Sequence, residues 1–187
     1  MTRKDTRSRF EARILRPEQS GGDDSWGFVI LPGAASAKLP RRGRTTVAGT
    51  INGQAFQALL EPDGNKSHWL RIDEDLLDSA GAVVGDVAQF EIVSLEREPE
   101  PEIPAELLEA LEASPEARAT WDATTTVARI DWIHWIVSAK QAKTRAKRIA
   151  DACDMLASGK RRVCCFDPSG YYSKALGPPT SAHAQRK

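Results

Sequence analysis

The run RTTVAGTI, then Asn52-Gly53, then QAFQALL, residues 44 to 60, constrains the fold more than any other stretch of the chain. Asn and Gly both tolerate positive φ, and a two-residue loop with positive φ at both positions makes a type I′ turn, whose twist suits two paired antiparallel strands. A β-hairpin is therefore predicted here, and the neighbouring runs can be tested for the same two-residue period.

They carry it. FEARIL, from Phe10, alternates Phe10, Ala12 and Ile14 with Glu11 and Arg13 until the Gly21-Gly22-Asp23-Asp24 cluster. SWGFVIL follows and stops at Pro32-Gly33, where a proline cannot continue an interior strand. After the turn Pro62-Asp63-Gly64, SHWLRI sets His68, Leu70 and Ile72 against Trp69 and Arg71. Asp73 or Asp75 can cap a short helix through Ala80, and VAQFEIVSL is the last strand after Gly85-Asp86. Six short strands with one brief helix are too few for a two-sheet sandwich and suit a small closed barrel, which removes sheet edges.

The stretch EREPEPEIPAE, Glu96 to Glu106, cannot extend a sheet and reads as a semi-rigid linker. Helices are predicted beyond it. Pro104 opens the first, Ser114-Pro115 the second, and Thr124 to Thr126 offer a cap to VARIDWIHWIVSAK, which is apolar almost all round. A last helix from about Gln141 to Ser158 has an apolar stripe at Ala142, Ala146, Ile149, Cys153 and Leu156, with Gly159 as its C-terminal cap. Lys140, Lys143 and Lys147 fall opposite that stripe, whereas Arg145 lies at its margin, where a guanidinium needs a carboxylate or a bound anion. The fold class is thus α+β, a closed six-stranded barrel followed by a C-terminal helical subdomain. The expected divisions are a disordered basic arm at 1–8, the barrel at 9–97, the linker at 98–103, the helical subdomain at 104–160 and an apolar segment with a tail at 161–187.

The net charge of zero hides an asymmetry. Residues 1–60 carry ten cations and five anions, residues 61–123 carry four and seventeen, and residues 124–187 carry twelve and four. The basic last third can attract a polyanion, or the acidic middle can be its partner within the same fold. Three cysteines, two of them adjacent, do not make a disulfide framework, so reduced thiols are expected. Met1 is followed by polar residues, and there is no apolar run long enough to span a bilayer; a soluble cytoplasmic protein is expected.

The order of five motifs is distinctive: W-G-F-x-x-L-P at Trp26 to Pro32, V-x-G-T-I-N-G at Val47 to Gly53, G-D-V at Gly85 to Val87, P-x-E-L-x-x-A-L at Pro104 to Leu111, and A-K-x-x-x-T-R-x-x-R-I at Ala139 to Ile149. Together they resemble a bacterial family that joins a small β-barrel domain of unknown function to a helical segment named YdeI/OmpD-associated, or bacteriocin-protection. The resemblance implies cytoplasmic proteins without established catalytic residues. Lys143 stands where the family usually has an acidic residue and Ala142 where proline is common. Thr144, Arg145, Arg148 and Ile149 match, which implies a shared packing or ion-pair role for the two arginines.

Catalytic signatures are missing from the sequence: there is no G-x-S-x-G, H-E-x-x-H, phosphate-binding glycine loop or dinucleotide fingerprint. Zinc needs four tetrahedral ligands; Cys153, Cys164 and Cys165 supply three at most, and no metal or cofactor is expected. His134, between tryptophans on an apolar helix, reads as a packed core residue. The chain reads as a binding module rather than an enzyme, holding a small-molecule or anionic ligand and acting in stress protection. Its candidate residues are Trp26, Asn52, His68, Trp69 and Arg71 around the barrel mouth, with Arg145 and Arg148 at the seam with the helices. One alternative is single-stranded nucleic-acid binding through tryptophan platforms and cations. Another is thiol redox chemistry at Cys164 and Cys165, which follow Lys160, Arg161 and Arg162. A protein partner is left open, and membrane insertion is not expected.

Overall fold

The computed structural model describes residues 4–18, 25–163 and 177–182. They form two compact units. One takes the chain up to Arg97 together with residues 177–182, and the other begins at Glu98 and contains the described residues through Val163.

The first unit is a nearly closed antiparallel barrel of six strands: β1 (Ser8–Arg13), β2 (Gly27–Ile30), β3 (Thr45–Ile51), β4 (Gln54–Pro62), β5 (His68–Ile72) and β6 (Val87–Ser94), in the order β1-β6-β3-β4-β5-β2. The predicted turn joins β3 to β4, with φ of 48° at Asn52 and 84° at Gly53. Among the described residues closure rests on one bridge, in which Leu15 and Phe28 exchange backbone hydrogen bonds of 2.8 and 3.0 Å. Gly27 explains how the chain comes so close there. A Cβ on it would lie 2.6 Å from Ile14 Cγ2 and 3.1 Å from the Leu15 carbonyl oxygen, so the glycine of the W-G-F motif is a seam residue.

Alternation places Ile14, Val29, Val47, Ile51, Leu60, Leu70, Ile72 and Ile92 in the barrel core. Each such side chain contributes about 1.5–3 kcal/mol when removed from water. Three local features differ from expectation. A helix, α1 (Gly33–Lys38), follows Pro32, where only a strand end is predicted; six residues are too few to show a helical period. In α2 (Glu74–Ser79), Asp73 stands at the N-cap but its carboxylate accepts from Arg71 rather than from the first turn. The expected disordered arm is partly seated: Ser94 N–H donates to Thr6 Oγ1, Lys38 Nζ donates to the Arg7 carbonyl, and Ser8 already pairs with Ile92.

The second unit holds α3 (Ala105–Glu112), α4 (Pro115–Ala123), α5 (Thr126–Val137) and α6 (Ala142–Ala157). Ser114 and Thr125 cap α4 and α5 by accepting from Ala117 N and Ala128 N. Past α6, Gly159 has φ of 89°, Lys160 N–H donates to the Met155 carbonyl and Gly159 N–H to that of Leu156. That is the paired bonding of a Schellman C-cap. Leu107, Leu111, Trp121, Trp132, Ile136 and Leu156 form the core. Only the C-terminal part of the α6 stripe joins it: Ile149 and Leu156 are buried and Cys153 packs partly buried against the cluster, with Ala152 beside them, while Ala142 and Ala146 are exposed. Among the described residues no helix is long and apolar enough to cross a membrane.

Candidate functional site

Strands β2 and β5 carry a cluster of aromatic rings with an arginine on it. Their register sets Phe28 opposite Arg71 and Ile30 opposite Trp69, while Val29, Leu70 and Ile72 point to the core. Alternation therefore puts Phe28, Ile30, Trp69 and Arg71 on the outer face. Phe28 is nonetheless buried, because rings cover it: Trp26 at 6.4 Å, tilted, and Trp69 at 6.1 Å, edge-on. The Arg71 guanidinium lies 4.1 Å above the Trp26 ring, and its Nε donates to Asp73 at 2.8 Å. Ser25, Trp26, Arg71, Asp73, Glu74 and Asp75 line a cleft of about 220 Å³. Among the described residues, one cation, Arg71, and three carboxylates, Asp73, Glu74 and Asp75, line it beside the Trp26 indole.

Of the five residues grouped at the mouth by sequence, Trp26, Trp69 and Arg71 share this face. His68 does not, because it alternates with Trp69 and points inward, 1% exposed. Its Nε2 lies 3.0 Å from the Gly43 carbonyl, which can only accept, so Nε2 carries the proton and Nδ1 accepts from Ser36 Oγ at 2.7 Å. Desolvation pushes its pKa below the ordinary value, against the Gly43 carbonyl and the Asp63 charge, which act the other way. Both ring nitrogens are thereby committed to holding α1 and the following loop on β5. Asn52 is also committed: its N–H donates to the Gln89 carbonyl and its Oδ1 accepts from Gln89 N at 2.9 Å, tying the β3–β4 turn to β6.

Both arginines assigned to the seam make contacts inside the helical unit. Arg145 finds its carboxylate in Glu106 of α3, at 3.5 Å. Arg148 donates to the Trp135 carbonyl at 2.6 Å and to Ser138 Oγ at 3.2 Å, with its guanidinium over the Trp135 ring. It thus sits at the C-terminal end of α5, where a cation suits the helix dipole.

A third arginine was not singled out by sequence. Arg129 pairs through both Nε and Nη2 with Glu100, at 3.1 and 2.9 Å, and its Nη1 donates to the Trp121 and Thr124 carbonyls. Thr126 Oγ1 also donates to Glu100. The Arg129 hydrogen bonds, then the Thr126 hydroxyl, hold the Glu100 carboxyl below the usual carboxylate value. The stretch read as a linker is therefore anchored at Glu100, and the acidic middle supplies partners to the basic last third at Glu100–Arg129 and Glu106–Arg145.

Trp121, Trp132 and Trp135 are buried, so none offers a face for stacking a base. Burial, with Asp154 beside it, pushes the Cys153 thiol up, away from thiolate character. Val163 packs into the helical core, while Cys164 and Cys165 lie outside the described residues. Among the described residues no group of His, Cys, Asp and Glu is placed to hold a metal ion.

Two family models match the chain. Residues 10–92 match a domain of unknown function, DUF1905, and residues 100–159 match the bacteriocin-protection, YdeI or OmpD-associated family. No curated protein matches the chain.

Proposed function

Because the chain joins a DUF1905 domain to a segment of the bacteriocin-protection, YdeI or OmpD-associated family, we propose that it serves stress protection by binding a small molecule on the outer face of β2 and β5. The observation that carries this reading is the guanidinium of Arg71 stacked at 4.1 Å on Trp26 beside Asp73, Glu74 and Asp75. A half-buried indole with one face in a cleft is a platform for a planar or cationic group. The charge balance refines the ligand class. An anion would meet three carboxylates and an arginine already bonded to Asp73, whereas an organic cation would take the place of Arg71 over the ring and gain the carboxylates. The ligand is therefore a compact organic cation or a neutral planar molecule with donors. Binding takes place in the cytoplasm, where the thiols stay reduced.

A thermal-shift screen with organic cations, neutral heterocycles and inorganic phosphate as the anion tests this. A ligand at a hundred times its Kd adds about 2.7 kcal/mol to the native state, a melting shift of several degrees. The cationic or planar compounds should raise the melting temperature, and Trp26→Ala should abolish the effect. A shift produced by phosphate alone, or one unchanged in Trp26→Ala, would remove this site from consideration.

A further inference from the structure

We infer that residues 177–182 are a strap that holds residues 16–18, just past β1, against the barrel and thereby sets the aromatic patch of the candidate site. Their sequence, GPPTSA, has no strand pattern, and it lies beyond both family matches, which end at residues 92 and 159. Even so, the segment is paired. Pro17 and Ser181 form an antiparallel bridge, Glu18 N–H donates to the Thr180 carbonyl at 2.7 Å, and Ala182 N–H donates to the Arg16 carbonyl at 3.0 Å. The proline falls at the position whose own N–H the pairing does not use, so its missing donor costs nothing there. This is strand addition to an exposed backbone edge, carried out by the chain's own segment.

What the strap holds gives it a role. Leu15, two residues before Pro17, makes the closing bridge to Phe28, and the Phe28 ring lies between Trp26 and Trp69. The other end of the strap reaches the opposite approach to the site. A Cβ on Gly177 would lie 3.7 Å from the Asp63 carbonyl oxygen, so the segment runs within van der Waals reach of the β4–β5 turn. The Asp63 carboxylate organises that turn by accepting from Asn65 N and Ser67 N at 2.7 and 2.8 Å, directly ahead of β5 with Trp69 and Arg71. The strap therefore reaches both residues 16–18, next to the Leu15–Phe28 bridge, and the β4–β5 turn. Residues 177–182 are exposed or half-buried and stand outside the barrel core, so the strap opens locally far more readily than the barrel unfolds. When it opens, the Leu15–Phe28 bridge loses its outer support.

The strap's purpose rests on the proposed binding reading, but its test does not use a ligand. Amide exchange is measured by NMR on the full chain, on Ala182→Pro, which removes the donor to Arg16, and on Ala182→Gly, which keeps it. In the unaltered chain and in Ala182→Gly the Glu18 amide should exchange at least tenfold more slowly than an unstructured one. In Ala182→Pro that protection should vanish, and the Leu15 and Phe28 amides should exchange several-fold faster, while the β3–β6 amides keep their rates. The inference fails if Glu18 is unprotected in the unaltered chain, or if it stays protected in Ala182→Pro. It fails equally if Glu18 is freed while Leu15 and Phe28 do not respond. A ligand screen without hits would sink the binding reading and leave these outcomes as they stand.

Discussion

Gly49, in the middle of β3, is the position where one methyl group should do most damage. A Cβ there would lie 2.0 Å from the Glu91 carbonyl oxygen, 3.0 Å from its carbon and 3.1 Å from Ile92 Cα. All three are backbone atoms of β6, so no rotamer change relieves the overlap, and β3 must move away by roughly 1 Å or more to restore a normal contact. Gly49 sits at the centre of the five-pair register between Val47–Ser94 and Ile51–Phe90. Such a displacement breaks about two or three backbone hydrogen bonds at about 1 kcal/mol each. Overpacking adds about 1–3 kcal/mol, and the stiffer unfolded chain returns about 0.4–1 kcal/mol. The net cost of Gly49→Ala is on the order of 2–6 kcal/mol, a large share of the roughly 5–15 kcal/mol that holds a domain.

Urea unfolding followed by circular dichroism and tryptophan emission measures it. With a slope of about 2 kcal/mol/M, the midpoint should fall by about 2 M. Gly53→Ala is the control. Its φ is 84° and a Cβ there meets open space, so it costs only the left-handed strain of about 1–2 kcal/mol. If Gly49→Ala costs no more than Gly53→Ala, close approach of β6 is not why glycine occupies position 49.

Two further predictions concern titration. Since the folded pKa of His68 lies below the ordinary 6.5, the unfolded chain binds its proton first, and stability should fall as pH drops from about 6.5 toward the folded value. His68→Gln should flatten that part of a melting-temperature profile, and an unchanged slope would show that another group titrates there. Glu100 is the opposite case: its lowered pKa gives stability that is present above the usual carboxylate value and lost as pH falls through the folded one. As its side chain is 60% exposed, screening limits the pair to about 1 kcal/mol or less. Glu100→Gln should remove the acid-side step, and Arg129→Lys should not replace the two-point contact, since an ammonium has no planar fork. A lysine variant as stable as the parent would refute the bidentate account.

The sequence by itself determined what depends on near neighbours. The two-residue period gave the six strands, the Asn52-Gly53 pair gave the turn, and Ser114, the Thr124 to Thr126 run and Gly159 gave helix ends. The need of Arg145 for a carboxylate or a bound anion was legible, from its place at the edge of an apolar stripe, but not which of the two it would find. What only the tertiary structure decided are the pairings of residues far apart in the chain. Ser36 meets His68, Glu100 meets Arg129, Glu106 meets Arg145, and Pro17 meets Ser181. The candidate site divides along the same line. Alternation already separated His68 from Trp69 and Arg71, but nothing local showed that Trp26 would come to lie under Arg71, or that the last described segment would brace the barrel. Turn chemistry and periodicity act over a few residues. The positions of polar side chains are fixed only when closure of the barrel and packing of the helices bring their partners within hydrogen-bond reach, and many different partners would satisfy the same local pattern.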